Sequence, residues 1–368
     1  MAWLFLLTFC VAAAVAAAAT PVTKLLARSL QVIDRPSERS VNLREGIPLL
    51  GGLAVALGLL VALSVSVVAM ELAHTKGHLE AYWIGGSLLL AIGVVDDRYS
   101  LRALPKLAVQ IVAAGAAIHF GFRIDHLTDP VTLEVWMFPE WLVWLVTTLW
   151  IVGVTNAMNL MDGLDGLCTG IAVIIAVTLT YISWQSGLPE GVLVGVALTG
   201  ALLGFLPYNF PPASIFLGDT GALFIGYCLS LLALEGYQKV TVLTFIVPLL
   251  ALAVPIIDTL LSIFRRISRR VNPLAADRLH MHHRLLDSEG TDRAALLSIY
   301  FLTACFCVIA VSFTRLEGYA AILFLVAVAV LTIRLLRNMG FFDTGDWSRG
   351  RRGGAPEADT HNAPGESR

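Results

Sequence analysis

Residues 140–186 read EWLVWLVTTLWIVGVTNAMNLMDGLDGLCTGIAVIIAVTLTYISWQS. Two apolar runs, about 140–155 and 168–186, flank a short stretch rich in Asn, Asp and Gly. A helix that crosses a bilayer needs roughly 20 mainly apolar residues, so this stretch predicts two spanning helices joined by a polar hinge. Working outward, the pattern predicts nine more spans, at about 2–19, 47–70, 81–95, 104–121, 191–206, 221–235, 240–262, 294–313 and 318–336. The third, fifth, seventh and eighth of the eleven are short, as in thinned bilayer or in helices that stop early at a cavity. The 368 residues are 57% apolar and 14% charged, which excludes an ordinary soluble domain. The expected fold is therefore all-α, a polytopic integral membrane protein with about 11 transmembrane helices. Residues 1–341 form a single transmembrane catalytic domain in this reading, and 342–368, poor in aliphatic residues, a disordered cytoplasmic tail.

Positive charge is retained on the cytoplasmic side of short loops. With the C-terminus cytoplasmic and the N-terminus outside, twenty-one of the 25 Lys and Arg residues fall inside and only Lys76, Arg123, Lys239 and Arg315 outside. The first span lacks a basic stretch before it and carries its charges after it, which predicts an uncleaved helix rather than a signal peptide. The five cysteines are scattered and imply neither a disulfide framework nor a thiolate metal site.

Carboxylates near lipid are costly, so their placement carries information. Asp96 and Asp97 end the third predicted helix, Asp162 and Asp165 follow the fifth, Asp219 follows the seventh, and Asp258 lies within the ninth. All fall at or near the expected cytoplasmic boundary. Adjacent acids at a helix C-terminus oppose the macrodipole and call for a compensating cation; pairing with Arg98 or Arg102 is the plain alternative. Asn156, Asn159, Asp162 and Asp165 recur every three residues, and Gly163 and Gly166 predict that the helix opens among them. Amides, carboxylates and glycines together suit a nucleotide or sugar and offer oxygen ligands for Mg2+. Asp219, in NFPPASIFLGDTG after Asn209, reads as a helix N-cap, a metal ligand, or both. His280, His282, His283 and Arg284 stand in the most basic loop, where cationic donors facing a pyrophosphate explain them better than zinc does.

The stretches DRPSER from Asp34, PLLGG from Pro48, VDD, NAMNLMDGLDGL, FLGDTG, PIIDT and HMHHRLL follow one another along nearly the whole chain. In them the chain resembles the polyprenyl-phosphate N-acetylhexosamine-1-phosphate transferases, and the HMHH loop is similar to that of the bacterial undecaprenyl-phosphate N-acetylglucosamine branch. One departure falls at Ser40 and Asn42, where the family usually has Lys and His. The resemblance then leaves Arg39 or Arg44 beside the lipid phosphate.

The resemblance implies transfer of N-acetylglucosamine 1-phosphate from UDP-N-acetylglucosamine to undecaprenyl phosphate, with release of UMP. It implies Asp96, Asp97, Asp162 and Asp165 as catalytic residues, and Asp219, Asp97 and Asp162 as ligands of Mg2+ or Mn2+. Asn156, Asn159, Asn209, His280, His282, His283, Arg284 and Arg39 would bind substrate. The expected partners are those two substrates and membrane lipids, with no nucleic acid, and with a second copy of the chain as a candidate partner in a homodimer. The expected location is the bacterial inner membrane, with the active site on the cytoplasmic face. Transfer of phospho-N-acetylmuramoyl-pentapeptide or another N-acetylhexosamine phosphate is the alternative within the class. A membrane transporter is the alternative outside it, and would place polar groups near the midplane, where only Asp258 lies.

Overall fold

The computed structural model describes residues 2–34, 46–70, 76–128, 134–235, 246–268, 285–286, 290–316 and 318–338. Its helices are α1 (Ala2–Ser29), α2 (Gly51–Met70), α3 (Lys76–Tyr99), α4 (Ala103–His119), α5 (Glu140–Leu160), α6 (Leu167–Gln185) and α7 (Pro189–Asn209). They continue as α8 (Gly218–Glu235), α9 (Ile246–Ala251), α10 (Ala253–Ser268), α11 (Asp292–Phe313) and α12 (Gly318–Asn338). Seven of these are long and apolar enough to cross a membrane, so the chain is a multi-pass, all-helical membrane protein.

The predicted spans map onto these helices in order, with three differences. The third, fifth, seventh and eighth are not short: they have 24, 21, 21 and 18 residues. The apolar runs stop at Asp96, Asn156 and Pro207 and start after Thr220, and in each case the helix continues through those residues. The ninth span divides at Leu252 into α9 and α10. Between α4 and α5 lies an unforeseen hairpin of β1 (His126–Thr128) and β2 (Val135–Met137), antiparallel with Leu127 opposite Trp136. The predicted tail from 342 lies outside the described residues.

The chain divides into two compact units, Met1–Ala321 and Ile322–Arg368. The second unit is described only over the part of α12 from Ile322 to Asn338, where Leu323, Leu331 and Ile333 are exposed. The first unit, Met1–Ala321, is built around α8, of which every residue except Asp219 is buried. A helix that is apolar all round belongs in the middle of a bundle, and α8 packs against α2, α3, α5, α6 and α7. Lipid offers no hydrophobic drive for helices to associate, so close packing through small residues supplies it. A Cβ on Gly52 would overlap the backbone of Gly221, and one on Gly93 the backbone of Thr220. These approaches bring α2 and α3 onto the first turn of α8. One turn beyond Gly93 stands Asp97.

Candidate active site

The first turn of α8 leaves backbone N–H groups without partners inside the helix. Asp97 supplies them from α3: its Oδ1 accepts from the N–H of Asp219 at 2.8 Å, and its Oδ2 from the N–H of Thr220 at 3.2 Å and from the Thr220 hydroxyl. The cap is thus made by a residue 122 positions away rather than by Asp219, for which capping is one of the readings the sequence allows. Gly218 is fitted to it twice: its φ of +73° lies in the left-handed region, and a Cβ there would meet the Asp97 carboxylate. With both oxygens engaged by α8, Asp97 mounts Asp219 and leaves the Asp219 carboxylate free to face the cavity.

Asp96 points elsewhere, as adjacent residues on a helix must. It accepts from the Leu101 N–H at 2.7 Å and from Lys106 Nζ at 2.9 Å, and Lys106 also reaches Asp219 Oδ2 at 2.8 Å. The compensating cation is therefore Lys106, not Arg98 or Arg102. Acids in the last turn of α3 and a lysine in the first turn of α4 each oppose their own helix dipole. Their pairing offsets both, and the opposed pair of signs was visible in the sequence.

Helix α5 ends at Leu160, so the three-residue repeat does not stay on one face. Asn156 is committed to its own scaffold: its Nδ2 donates to Gln110 Oε1 at 2.5 Å and to the Val152 carbonyl at 2.8 Å, and its Oδ1 accepts from Gln110 Nε2. Asn159 turns its Nδ2 toward Asp219 at 3.5 Å, while its Oδ1 is buried without a hydrogen bond. In the loop that follows, Asp162 faces the cavity. Desolvation, with Asp219, Asp97 and Asp165 around it, raises its carboxyl well above the usual range. Asp165 is buried and accepts from the Ala213 N–H at 2.9 Å, which joins this loop to residues 210–217. Asn209 accepts from the Thr169 hydroxyl at 2.7 Å and donates to the Ile215 carbonyl at 3.1 Å.

Residues 216–217 in turn receive the N–H groups of Gly51 and Gly52, both at 3.0 Å. The PLLGG stretch thereby closes the start of α2 on this loop. Just before it, the Asp34 N–H bonds Ile47 O at 2.8 Å, and burial raises the Asp34 carboxyl above its ordinary value.

The result is a cavity of about 380 Å3 where the connections α1–α2, α3–α4, α5–α6 and α7–α8 converge. Asp34, Asp96, Asp97, Asp162, Asp165, Asn209 and Asp219 line it, so all five acids of the predicted catalytic and metal sets share one chamber. Arg39, His280, His282, His283 and Arg284 lie outside the described residues. Among the described residues no three His, Cys, Asp or Glu side chains form a ready cage for a metal. The donors present do fit Mg2+, which is usually held by one or two carboxylates and completes its shell with water and substrate phosphate. The carboxylates of Asp162 and Asp219 and the unbonded Asn159 Oδ1 are hard oxygen ligands of that kind.

The carboxylates of the chamber, with Lys106 bridging Asp96 and Asp219, thus lie together at one end of the helix bundle. The family description "Glycosyl transferase family 4" matches residues 79–237. A Bacillus subtilis protein named "Probable undecaprenyl-phosphate N-acetylglucosaminyl 1-phosphate transferase" is 33% identical over 321 residues, which cover 87% of each chain. The decaprenyl-phosphate N-acetylglucosaminephosphotransferase of Mycolicibacterium smegmatis is 34% identical across 77% of this chain and 75% of its own. The undecaprenyl-phosphate alpha-N-acetylglucosaminyl 1-phosphate transferase of Haemophilus influenzae is 29% identical across 77% of this chain and 79% of its own. The chain belongs to glycosyl transferase family 4, among the polyprenyl-phosphate N-acetylhexosamine-1-phosphate transferases. It is a glycosyl-1-phosphate transferase.

Proposed function

We propose that the chain transfers N-acetylglucosamine 1-phosphate from UDP-N-acetylglucosamine to undecaprenyl phosphate, releasing UMP and starting a cell-envelope glycan such as O antigen. The observation that carries this reading is the convergence of Asp96, Asp162 and Asp219 on one cavity at the end of the bundle, with Lys106 bridging Asp96 and Asp219. One substrate is a membrane lipid and the other a water-soluble nucleotide, so the reaction needs a polar chamber at the bilayer boundary. The charge asymmetry of the loops favours the cytoplasmic boundary of the inner membrane, with eleven spans and an outside N-terminus.

Two anions must meet in this chamber. Asp162, Asp219 and Asn159 Oδ1 would hold Mg2+, which neutralises phosphate charge when bound. Lys106, shared between Asp96 and Asp219, places a second positive charge within reach of the phosphates. Asp97 fixes Asp219 through the α8 cap, so the acid arrives already oriented. A phosphate monoester has a second pKa near 6, so much of the lipid phosphate is already dianionic at neutral pH. Asp96 accepts the proton of the remainder. Attack by the lipid phosphate is direct, with positioning and electrostatics supplying most of the rate. Arg39 serves the lipid phosphate; His280, His282, His283 and Arg284 serve the pyrophosphate of the donor.

The test is purified protein with undecaprenyl phosphate, Mg2+ and a panel of UDP-sugars, following UMP. The reading expects UMP release with UDP-N-acetylglucosamine that depends on both the lipid and the metal. Preference for the muramoyl-pentapeptide donor, or full turnover in excess EDTA, would overturn it. UDP-N-acetylglucosamine without lipid should give no burst of UMP equal to the enzyme; such a burst, lost in Asp96→Asn, would make that acid a nucleophile.

A further inference from the structure

Two side chains of helix α11 donate hydrogen bonds to main-chain oxygens of the site loops. Near its start the Arg293 guanidinium donates to the Pro211 carbonyl through Nε at 3.3 Å and Nη2 at 3.0 Å. Seven residues on, and so on the same face, Tyr300 Oη donates to the Gly166 carbonyl at 2.6 Å. The ring of Tyr300 lies where a Cβ of Gly170 would stand, so α6 is shaped to receive it. Gly166 has φ +74° and its carbonyl also takes the Gly170 N–H at 2.9 Å, which makes it the point where the Asp162 loop turns into α6.

The two tethered loops are also tied to each other by Asp165, through the Ala213 N–H. Three fixed points therefore triangulate them: Arg293 on one loop, Tyr300 on the other, and Asp165 between. The first loop carries Asp162, and the second leads into Gly218 and Asp219. We infer that Arg293 and Tyr300 are positioning residues for the transfer reaction, which hold the two loops so that Asp162 and Asp219 face one phosphate site. Neither lines the cavity, and neither touches the reacting atoms in this account. The inference rests on the proposed reaction.

The test uses the full chain in nanodiscs as wild type, Tyr300→Phe, Arg293→Gln and Arg293→Lys. Two readouts are taken: steady-state UMP release with both substrates, and Mn2+ binding without substrate by loss of the free-ion EPR signal. Thermal unfolding and size exclusion give the folded fraction. One lost neutral hydrogen bond corresponds to about a fivefold effect, and one to a charged donor to about tenfold or more. Tyr300→Phe should lower kcat per folded enzyme about fivefold and Arg293→Gln about tenfold, with both KM values within about twofold. Mn2+ affinity should weaken in the same order, and Arg293→Lys, which keeps one donor, should recover part of both losses. Unchanged kcat per folded enzyme, or losses matched fully by a smaller folded fraction, would overturn the assignment. If wild type shows no transfer, the proposed reaction fails, and the Mn2+ series still decides the positioning role. If wild type binds no Mn2+ without substrate, kcat decides it.

Discussion

Helix α8 carries an acid at each end, and the two ends are built in opposite ways. At the end bearing the hairpin, Glu235 is buried and meets His78 Nδ1 at 3.3 Å. The His78 ring packs on Phe122 at 4.9 Å, and Tyr82 meets the same ring edge-on at 5.7 Å. At the other end Asp96, Asp97, Asp162 and Asp219 line an open cavity of about 380 Å3, and Lys106 pairs with two of them, Asp96 at 2.9 Å and Asp219 at 2.8 Å. A buried acid that meets a partner in a packed setting is a structural element. Acids that outnumber their described cation around open space invite a cation and phosphates from solution. The contrast between the two ends, more than any one residue, is what marks the candidate active site.

The largest expected effect follows from removing a charge at the open end. Asp219→Asn should lower transfer by about 100-fold or more, since it alters charge facing the transition state. Its backbone N–H, which Asp97 holds, is untouched, so the unfolding temperature should barely move; a large drop in that temperature would show Asp219 to be structural instead. Next comes Lys106→Met, expected to lose about tenfold to 100-fold in turnover because Asp96 and Asp219 then face each other unscreened. Lys106→Arg should recover part of it, and equal activity in both variants would remove the bridge from the account.

Asp97→Asn separates the two ends differently, because it weakens the cap of α8. A lost N-cap costs about 1–2 kcal/mol, so unfolding should shift measurably and activity should fall with it. Normal stability with lost activity would make Asp97 a direct ligand after all.

Acidification gives a smaller and graded effect. The Asp162 carboxyl is raised by desolvation and by three neighbouring acids, so protons compete with a cation for it well above the ordinary carboxylate range. The half-saturating Mg2+ concentration should therefore rise as pH falls from neutrality toward that range, and Asp162→Asn should flatten the dependence. A half-saturating value constant with pH in wild type would contradict it. The smallest effect on turnover belongs to the closed end: Glu235→Gln should leave turnover within about twofold, while the unfolding temperature falls because the buried contact with His78 is weakened.

Much of the fold was legible because spans announce themselves by length and apolarity. The helix ends were not, for a reason the site explains. Polar or helix-breaking residues end the apolar runs there, Asp96 on α3, Asn156 on α5, Pro207 on α7 and Gly218 at the start of α8, so run length alone stops short of the helix ends that carry the site. Five of the chamber's six acids are visible in the sequence as costly residues at one boundary; the sixth, Asp34, stands out only as the start of DRPSER. Their division of labour was not, because the partner of Asp97 lies on α8 and that of Asp165 on the loop before it. Lys106 reads in the sequence as one inner-loop charge among several, and only its place in the first turn of α4, against the helix dipole, sets it apart. Gln110 gave no signal, since its bond to Asn156 joins two helices far apart in sequence. Arg293 and Tyr300 bind carbonyl oxygens, which no side-chain motif can reveal.

The most direct test of the central claim follows the phosphorus itself. UDP-N-acetylglucosamine labelled with 32P at the sugar-linked phosphate and with 14C in the sugar is incubated with enzyme, undecaprenyl phosphate and Mg2+. Sugar and phosphorus should enter the lipid product together in equal amounts, with one UMP released for each. Sugar in the lipid without the labelled phosphorus, accompanied by labelled UDP, would show ordinary glycosyl transfer and contradict the account.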